Sequence, residues 1–346
     1  MPEYAILCNP SHNRVYFKES LKMAASELAV VSSRVSARLH GVGNRGIAGI
    51  DYLAFSAETA LAPGDINVLS DLSFAYAIFE IGACCGGAAL RPIQKTDVQF
   101  VDSSISSILK YTGKTNEVFT RLLINAAYYS QGVTSGVKLL DPVAGKCTTL
   151  FEGLVRGFDV YGIEVGDNAA SEACNFLKKF LETEKYKHSM DTRKLTGPNR
   201  SYKAVRHSFE IARTKDEQKG GDVRRAEIIA ANSVHAGDFY KKETFDIIAG
   251  DLPYGVQHGN VTNRSQSSAT RNPEELLTAC LPVWAELLKP GGAIALSWNV
   301  NVLRAEKIAG LYASCGLTPM DGAAYAGFAH RVDQSILRDI AVARKQ

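Results

Sequence analysis

The stretch VKLLDPVAGKCTTLFEGLVRGFDVYGIE, Val137–Glu164, spells out strand, helix and strand in succession. Val137–Leu140 is a short continuous apolar run, as expected of a strand covered on both faces, Thr148–Arg156 spaces its apolar residues for a helix, and Tyr161–Glu164 reads as the next strand. The small residues between the first strand and the helix let backbone amides and a helix N-terminus face a ligand, with Gly145 permitting close approach. Glu164 stands 23 positions beyond Asp141, where a carboxylate can accept both hydroxyls of an adenosine ribose. On spacing alone, a nucleoside site and an ordinary βαβ unit both remain open.

Outward from this unit the alternation continues. Helices are predicted at Phe119–Tyr129, Ala169–Phe180 and Pro273–Leu288, and strands at Ile228–Ala230, Phe245–Ala249 and Ala293–Trp298. That order is the signature of an α/β, doubly wound parallel sheet. Pro290-Gly291-Gly292 predicts a tight turn between the last helix and the last strand. Residues 1–110 read as a separate small α/β domain, with RNA binding as its candidate role. It has strands at Tyr4–Cys8, Ile50–Phe55 and Phe74–Ile81 and a helix near Glu19–Ser33. Cys84-Cys85 precedes Gly86-Gly87, a context in which small buried residues are commoner than reactive thiols. The second domain is expected to span 111–346.

The 346 residues are 46% apolar and 22% charged, which excludes a disordered or fibrous chain. The net charge of +3 is unevenly placed: residues 183–225 carry 12 Lys and Arg against 6 Asp and Glu, so the remainder is net acidic. This basic insertion, with Arg193, Lys194, Arg200, Lys203 and Arg206, suits phosphate contacts. Seven cysteines without a paired metal spacing point to a reduced, cytoplasmic protein with no metal. The start, MPEYAILCNPSHNRVYF, lacks a basic-then-apolar layout and no run of about 18 apolar residues occurs, so neither a secretory leader nor a membrane segment is expected. A second polar stretch, Val256–Asn272, follows the next motif directly.

That motif is Asp251-Leu252-Pro253-Tyr254-Gly255, delivered to the carboxyl edge of the sheet by the strand ending at Gly250. An acid, a carbonyl held extended by a following proline and an aromatic face are the parts that hold the exocyclic amine of a planar base. Asp251 and the Leu252 carbonyl would accept the two amine hydrogens, and Tyr254 would stack on the ring, worth about 1–3 kcal/mol in single-stranded sites. A plain β-turn is the bland alternative.

These residues resemble the amino-directed, class I S-adenosylmethionine-dependent methyltransferases, whose corresponding motif is (D/N)PPY. Within that class the chain is most similar to the THUMP-associated tRNA guanosine N2-methyltransferases, through LLDPxxGxGT at 139–148 and DPPYGxxxG at 251–259, and the similarity covers roughly residues 111–335. The resemblance implies a Rossmann-like methyltransferase domain with S-adenosylmethionine as cofactor. Asp141, Pro142, Ala144 and Gly145 would surround its methionine part, Glu164 its ribose and Asp238 its adenine amine. Thr120 and Asn125 are further candidates from the preceding helix. His258, Arg264 and Arg271 are candidate substrate contacts. Trp298, at a strand end, fits core or pocket wall.

Three departures stand out. Lys146 and Cys147 occupy the family's Ser and second Gly, which implies weaker donor binding, and Leu252 replaces the first proline. The N-terminal residues are also few for a complete THUMP domain. The expected activity is methylation of an exocyclic amine of a nucleic-acid base, foremost guanosine N2 in tRNA or other structured RNA. The alternatives are adenine N6 or cytosine N4 in DNA, and a degenerate RNA-binding protein without a donor site. Sequence gives no oligomeric state.

Overall fold

The computed structural model describes residues 1–9, 14–84, 87–97, 99–111, 113–254 and 272–346. The chain divides into Met1–Val98 with Met320–Ile340, and Gln99–Pro319 with Ala341–Gln346.

The first unit holds β1 (Glu3–Cys8), α1 (Arg14–Val31), β2 (Leu39–Ile47), β3 (Ile50–Ala57), α2 (Pro63–Ser70), β4 (Ala75–Cys84) and β5 (Gly87–Ile93). The strands form an antiparallel sheet in the order β2-β3-β1-β4-β5. Tyr4, Ile6 and Cys8 alternate along β1 and are buried, and Tyr4 stacks on Phe55 of β3 at 5.5 Å. The sequence reading omits β2 and β5 because HGVGNRG is glycine-rich and GAALRP ends on Arg and Pro, and neither has an apolar alternation to mark it. It also assigns 320–340 to the second domain, whereas these residues group with the first unit. Gly327 explains how: it lies against Lys22 and Ser26 of α1 so closely that any Cβ would strike Ser26.

The second unit begins with α3 (Ser104–Ile108) and α4 (Glu117–Tyr128), followed by β6 (Lys138–Asp141), α5 (Thr148–Val155), β7 (Asp159–Glu164) and α6 (Asp167–Thr183). Next come β8 (Lys187–Thr196), β9 (Lys203–Ala212), α7 (Lys215–Gly220), β10 (Arg224–Ala230) and α8 (Ala236–Phe239). β11 (Phe245–Asp251), α9 (Pro273–Leu287), β12 (Leu288–Asn299), α10 (Ala305–Ser314), β13 (Leu317–Pro319) and the end of β15 (Leu337–Lys345) complete it, while β14 (His330–Arg331) and the first residues of β15 fall in the 320–340 segment of the first unit. The sheet order is β13-β15-β12-β11-β6-β7-β10-β9-β8, with β14 beside β15. Strands β12, β11, β6, β7 and β10 are parallel. Burial of Leu140, Ile163, Ile229, Ile248 and Leu296 explains why these strands read as continuous apolar runs. This is a Rossmann-like doubly wound sheet.

Two expectations change here. Pro290-Gly291-Gly292 is not a turn before a strand: β12 runs unbroken from Leu288, and its pairing slips between Phe245 and Ile247 of β11. Gly291, at φ 75°, absorbs the irregularity that L side chains resist. The basic insertion does not interrupt the sheet but extends it. β8 and β9 form an antiparallel ribbon whose second strand pairs with β10.

Candidate functional site

Strand order reverses between β6 and β11, because the chain proceeds outward through β7 and β10 on one side and through β12 on the other. Open α/β sheets leave a crevice at such a reversal, outside the carboxyl ends of the strands. A cavity of about 270 Å³ lies there, with Pro142, Glu164, Asn232, Asp251 and Pro253 in its wall.

The β6–α5 turn builds one side. Asp141 is 2% exposed and accepts the Val143 amide at 3.0 Å. Burial pushes its carboxyl up to about 7, the hydrogen bonds from Thr149 and Val143 oppose the rise, and the charges of Asp251 and Glu164 add to it. Gly145 takes φ 52° and donates its amide to Glu164 Oε2 at 2.8 Å, while the Gly166 amide donates to Oε1 at 2.7 Å. Burial raises the Glu164 carboxyl and these two amides pull it back. A carboxylate has about four acceptor positions, so Glu164 keeps capacity for two further donors. Ala144 ties the turn to β7 through its amide and the Ile163 carbonyl, 2.9 Å apart.

The departures in this turn point away from the cavity. Cys147 adopts φ 67°, the backbone region that favours glycine, and its side chain is wholly buried. Burial keeps its thiol well above the usual range, an inert state. Lys146 reaches Glu172 of α6 at 2.5 Å and sits 4.9 Å from the centre of the Tyr111 ring. Neither residue lines the cavity.

Asp251 ends β11 on the opposite side. Its Oδ2 accepts the Thr115 hydroxyl at 2.5 Å, its Oδ1 accepts Ser297 at 2.7 Å, and the Tyr254 phenol lies 2.6 Å from both oxygens. Tyr254, read from sequence as a stacking face, here donates its hydroxyl to the carboxylate. The Leu252 side chain is 1% exposed within the main core, and its amide donates to the Ser297 carbonyl at 2.8 Å. Leucine in place of proline therefore gains a core contact and a backbone hydrogen bond that proline lacks. Pro253 remains in the cavity wall.

Other candidates lie elsewhere. Asp238 is carried onto α8, where it accepts the Tyr202 hydroxyl at 2.9 Å, sits 3.8 Å from His235, and opens on a different groove beside Lys242. The residues that do reach the cavity after β10 are Asn232 and Ser233. Asn232 accepts the Val234 amide and Ser233 accepts the Trp284 indole at 3.0 Å. Thr120 is buried on α4 and donates to the Asn116 carbonyl at 3.1 Å, and Asn125 accepts from Arg156. Both serve the helix and its neighbours. Trp298 is core, bonded to the Leu303 carbonyl at 2.6 Å. His258, Arg264 and Arg271, and Cys85, fall outside the described residues.

Sequence reasoning missed Thr115, Ser297 and Asn232. Ser297 stands directly opposite Asp251 in the β11–β12 register, a relation that exists only once the strands are paired. Asn232 carried a local signal, an amide side chain two residues past a strand end.

Among the described residues no cluster of three metal-ligating side chains occurs, and no helix is long and apolar enough to cross a membrane. No family model matches the chain, and no curated protein sequence matches it. Solved structures with a similar chain path include a TehB-like SAM-dependent methyltransferase from Corynebacterium glutamicum, at 14% identity over 65% of this chain and 85% of that one, TM-score 0.36. An rRNA methylase from Streptococcus thermophilus is 10% identical over 62% and 89%, TM-score 0.31. Spermidine synthase from Thermotoga maritima is 15% identical over 78% and 70%, TM-score 0.37. These likenesses are distant, and the assignment of the fold rests on the strand order.

Proposed function

We propose that the chain is an S-adenosylmethionine-dependent methyltransferase acting on an exocyclic amine of a nucleic-acid base, foremost guanosine N2 in structured RNA. The observation that carries this reading is the placement of Glu164 and Asp251 on one cavity at the strand-order reversal, with Asp141 buried behind them. Two carboxylates on one small space suit a ligand bearing two positive centres, a sulfonium and an ammonium, and the pair therefore fits this donor.

When bound, S-adenosylmethionine supplies a methyl group on a positively charged sulfur. Glu164 would accept the ribose hydroxyls with the lone pairs its two amide bonds leave free. Asn232, in the wall of the same cavity, would replace Asp238 as the side chain that meets the adenine edge. Asp251 and the Leu252 carbonyl would accept the two amine hydrogens of the base, turning the nitrogen lone pair out of the ring system. Asp251 would then take up the surplus proton that methylation leaves on the base nitrogen and pass it to solvent. The catalytic contribution is placement and electrostatics. Tyr254 must surrender its hydrogen bond to Asp251 as the amine arrives, which frees the ring to lie against the base.

Calorimetric titration with S-adenosylmethionine and S-adenosylhomocysteine tests the donor site. Micromolar binding that Glu164→Ala weakens at least tenfold is expected, and absence of binding by the wild-type chain would overturn the reading. Transfer of labelled methyl to an unmodified tRNA transcript, in parallel with duplex DNA, tests the acceptor.

A further inference from the structure

The basic insertion separates into two populations of cation. Arg193, Arg206, Arg213, Arg224 and Arg225 each have a carboxylate partner, respectively Asp191, Glu227, Glu217, Asp222 and Glu210. The other seven, Lys185, Lys187, Lys194, Arg200, Lys203, Lys215 and Lys219, are exposed and form no salt bridge with a carboxylate among the described residues. Lys194, Arg200 and Lys203 lie at the tip of the β8–β9 ribbon, and the remaining four lie at or beyond its opposite end. Lys203 stands opposite Thr196 in the register, and Lys194 lies two residues along the same face. Cross-strand diagonal neighbours are about 7–8 Å apart. Arg200 belongs to the tip itself.

Register also fixes where the tip is. Glu164 of β7 pairs with Ala230 of β10, and Ala230 pairs with Val205 of β9. The tip, residues 197–202, therefore projects from the same carboxyl edge as Glu164 and Asp251. It is anchored there: Tyr202 packs on the core, stacks on His235 with ring centres 3.9 Å apart and donates to Asp238. Gly197 lies so close to the Tyr202 ring that a Cβ would collide with it. Three uncompensated cations are thus held on a braced platform.

Resting on the donor and acceptor reading above, we infer that this ribbon tip is a phosphate-binding surface that grips the backbone of a folded RNA whose target base sits at Asp251. From β11 to the ribbon is four to five strand spacings, about 20–24 Å. A strand of stacked nucleotides rises about 3.4 Å per residue, so one substrate touching both places spans roughly six or seven nucleotide steps. The substrate is then a polymer and not a free nucleotide. Arg193 and Arg206, whose charges are already matched within the sheet, contribute little to the grip.

The test measures binding of a fluorescent, unmodified tRNA transcript to the full-length chain at several salt concentrations, for the wild type and the Lys194→Ala/Arg200→Ala/Lys203→Ala variant. Loss of at least tenfold in affinity is expected, with the slope of log affinity against log salt falling by about 2. Lys241→Ala/Lys242→Ala, two cations just before the amino end of β11, should leave both unchanged. Calorimetric affinity for S-adenosylmethionine should be the same in wild type and triple variant, which also shows that the variant is folded. Equal RNA affinity and slope in the triple variant would overturn the proposal, as would equal weakening by the control pair. Tighter tip-dependent binding of duplex DNA of matched length would overturn the RNA assignment. Loss of wild-type donor binding with tip-dependent RNA binding intact would defeat the methyltransferase reading alone.

Discussion

The two carboxylates that face the cavity are held in different ways. Glu164 is fixed by the backbone, through the amides of Gly145 and Gly166. Asp251 is fixed by side chains, the hydroxyls of Thr115, Ser297 and Tyr254. A carboxylate cradled by amides is set by the path of the chain and survives most substitutions around it. One cradled by hydroxyls can be tuned or unseated one residue at a time, and one of its donors can be exchanged for a substrate amine. The rigid arrangement belongs to the proposed donor half and the exchangeable one to the proposed acceptor half.

The largest effect expected concerns the electrostatic load on the donor half. Asp141 has a folded-state carboxyl near 7 against 3.8 for the ordinary group. Between these values the folded chain holds a proton that the unfolded chain releases, so this residue makes stability fall as pH rises from about 4 to 7, by on the order of 4 kcal/mol. Denaturant titrations across that range should show the decline, and Asp141→Asn should flatten it. A variant with the same slope as wild type would remove Asp141 as its source.

Next is the separation of the halves. Asp251→Ala should cut methyl transfer to a tRNA transcript by roughly two orders of magnitude, the scale of removing a transition-state partner, while donor affinity stays within a few-fold. Equal loss of donor affinity would mean that the two halves are not separable.

Thr115→Val and Ser297→Ala should each lower turnover about tenfold, near 1.4 kcal/mol, the upper range for one hydrogen bond. KM and donor affinity should hold, and Thr115→Ser should recover most of the turnover. Failure of the serine variant to recover would assign Thr115 a packing role.

The smallest effect is expected for Lys146→Ser with Cys147→Gly, which introduces the turn pattern of the methyltransferases that the sequence resembles. Donor affinity should change no more than about threefold, because Lys146 is engaged with Glu172 and Tyr111 and Cys147 is buried away from the cavity. A tenfold gain by calorimetry would show that these residues do obstruct the donor half.

The difference between the halves also explains what was readable in advance. The Asp141 turn and Glu164 belong to one βαβ unit, so periodicity and spacing placed both. Asp251 was readable as the end of an apolar strand, but its partners come from 115, 254 and 297, and only the last strand pairing brings Ser297 level with it. Asp238 lies on another groove because the chain after β10 winds into a short helical turn at Ser233–His235 before α8, and Asn232 is the residue that lines the cavity.

By itself the sequence determined the alternation of strands and helices, the carboxyl edge on which the acids stand and the concentration of positive charge in one insertion, because each follows from local periodicity or composition. Tertiary structure alone decided that the insertion extends the sheet, that three of its unpaired cations lie at the tip on the cavity's edge, that residues 320–340 join the N-terminal unit and that three hydroxyls converge on Asp251. Those are consequences of register and long-range packing, in which residues far apart in the chain become neighbours, and no local pattern encodes them.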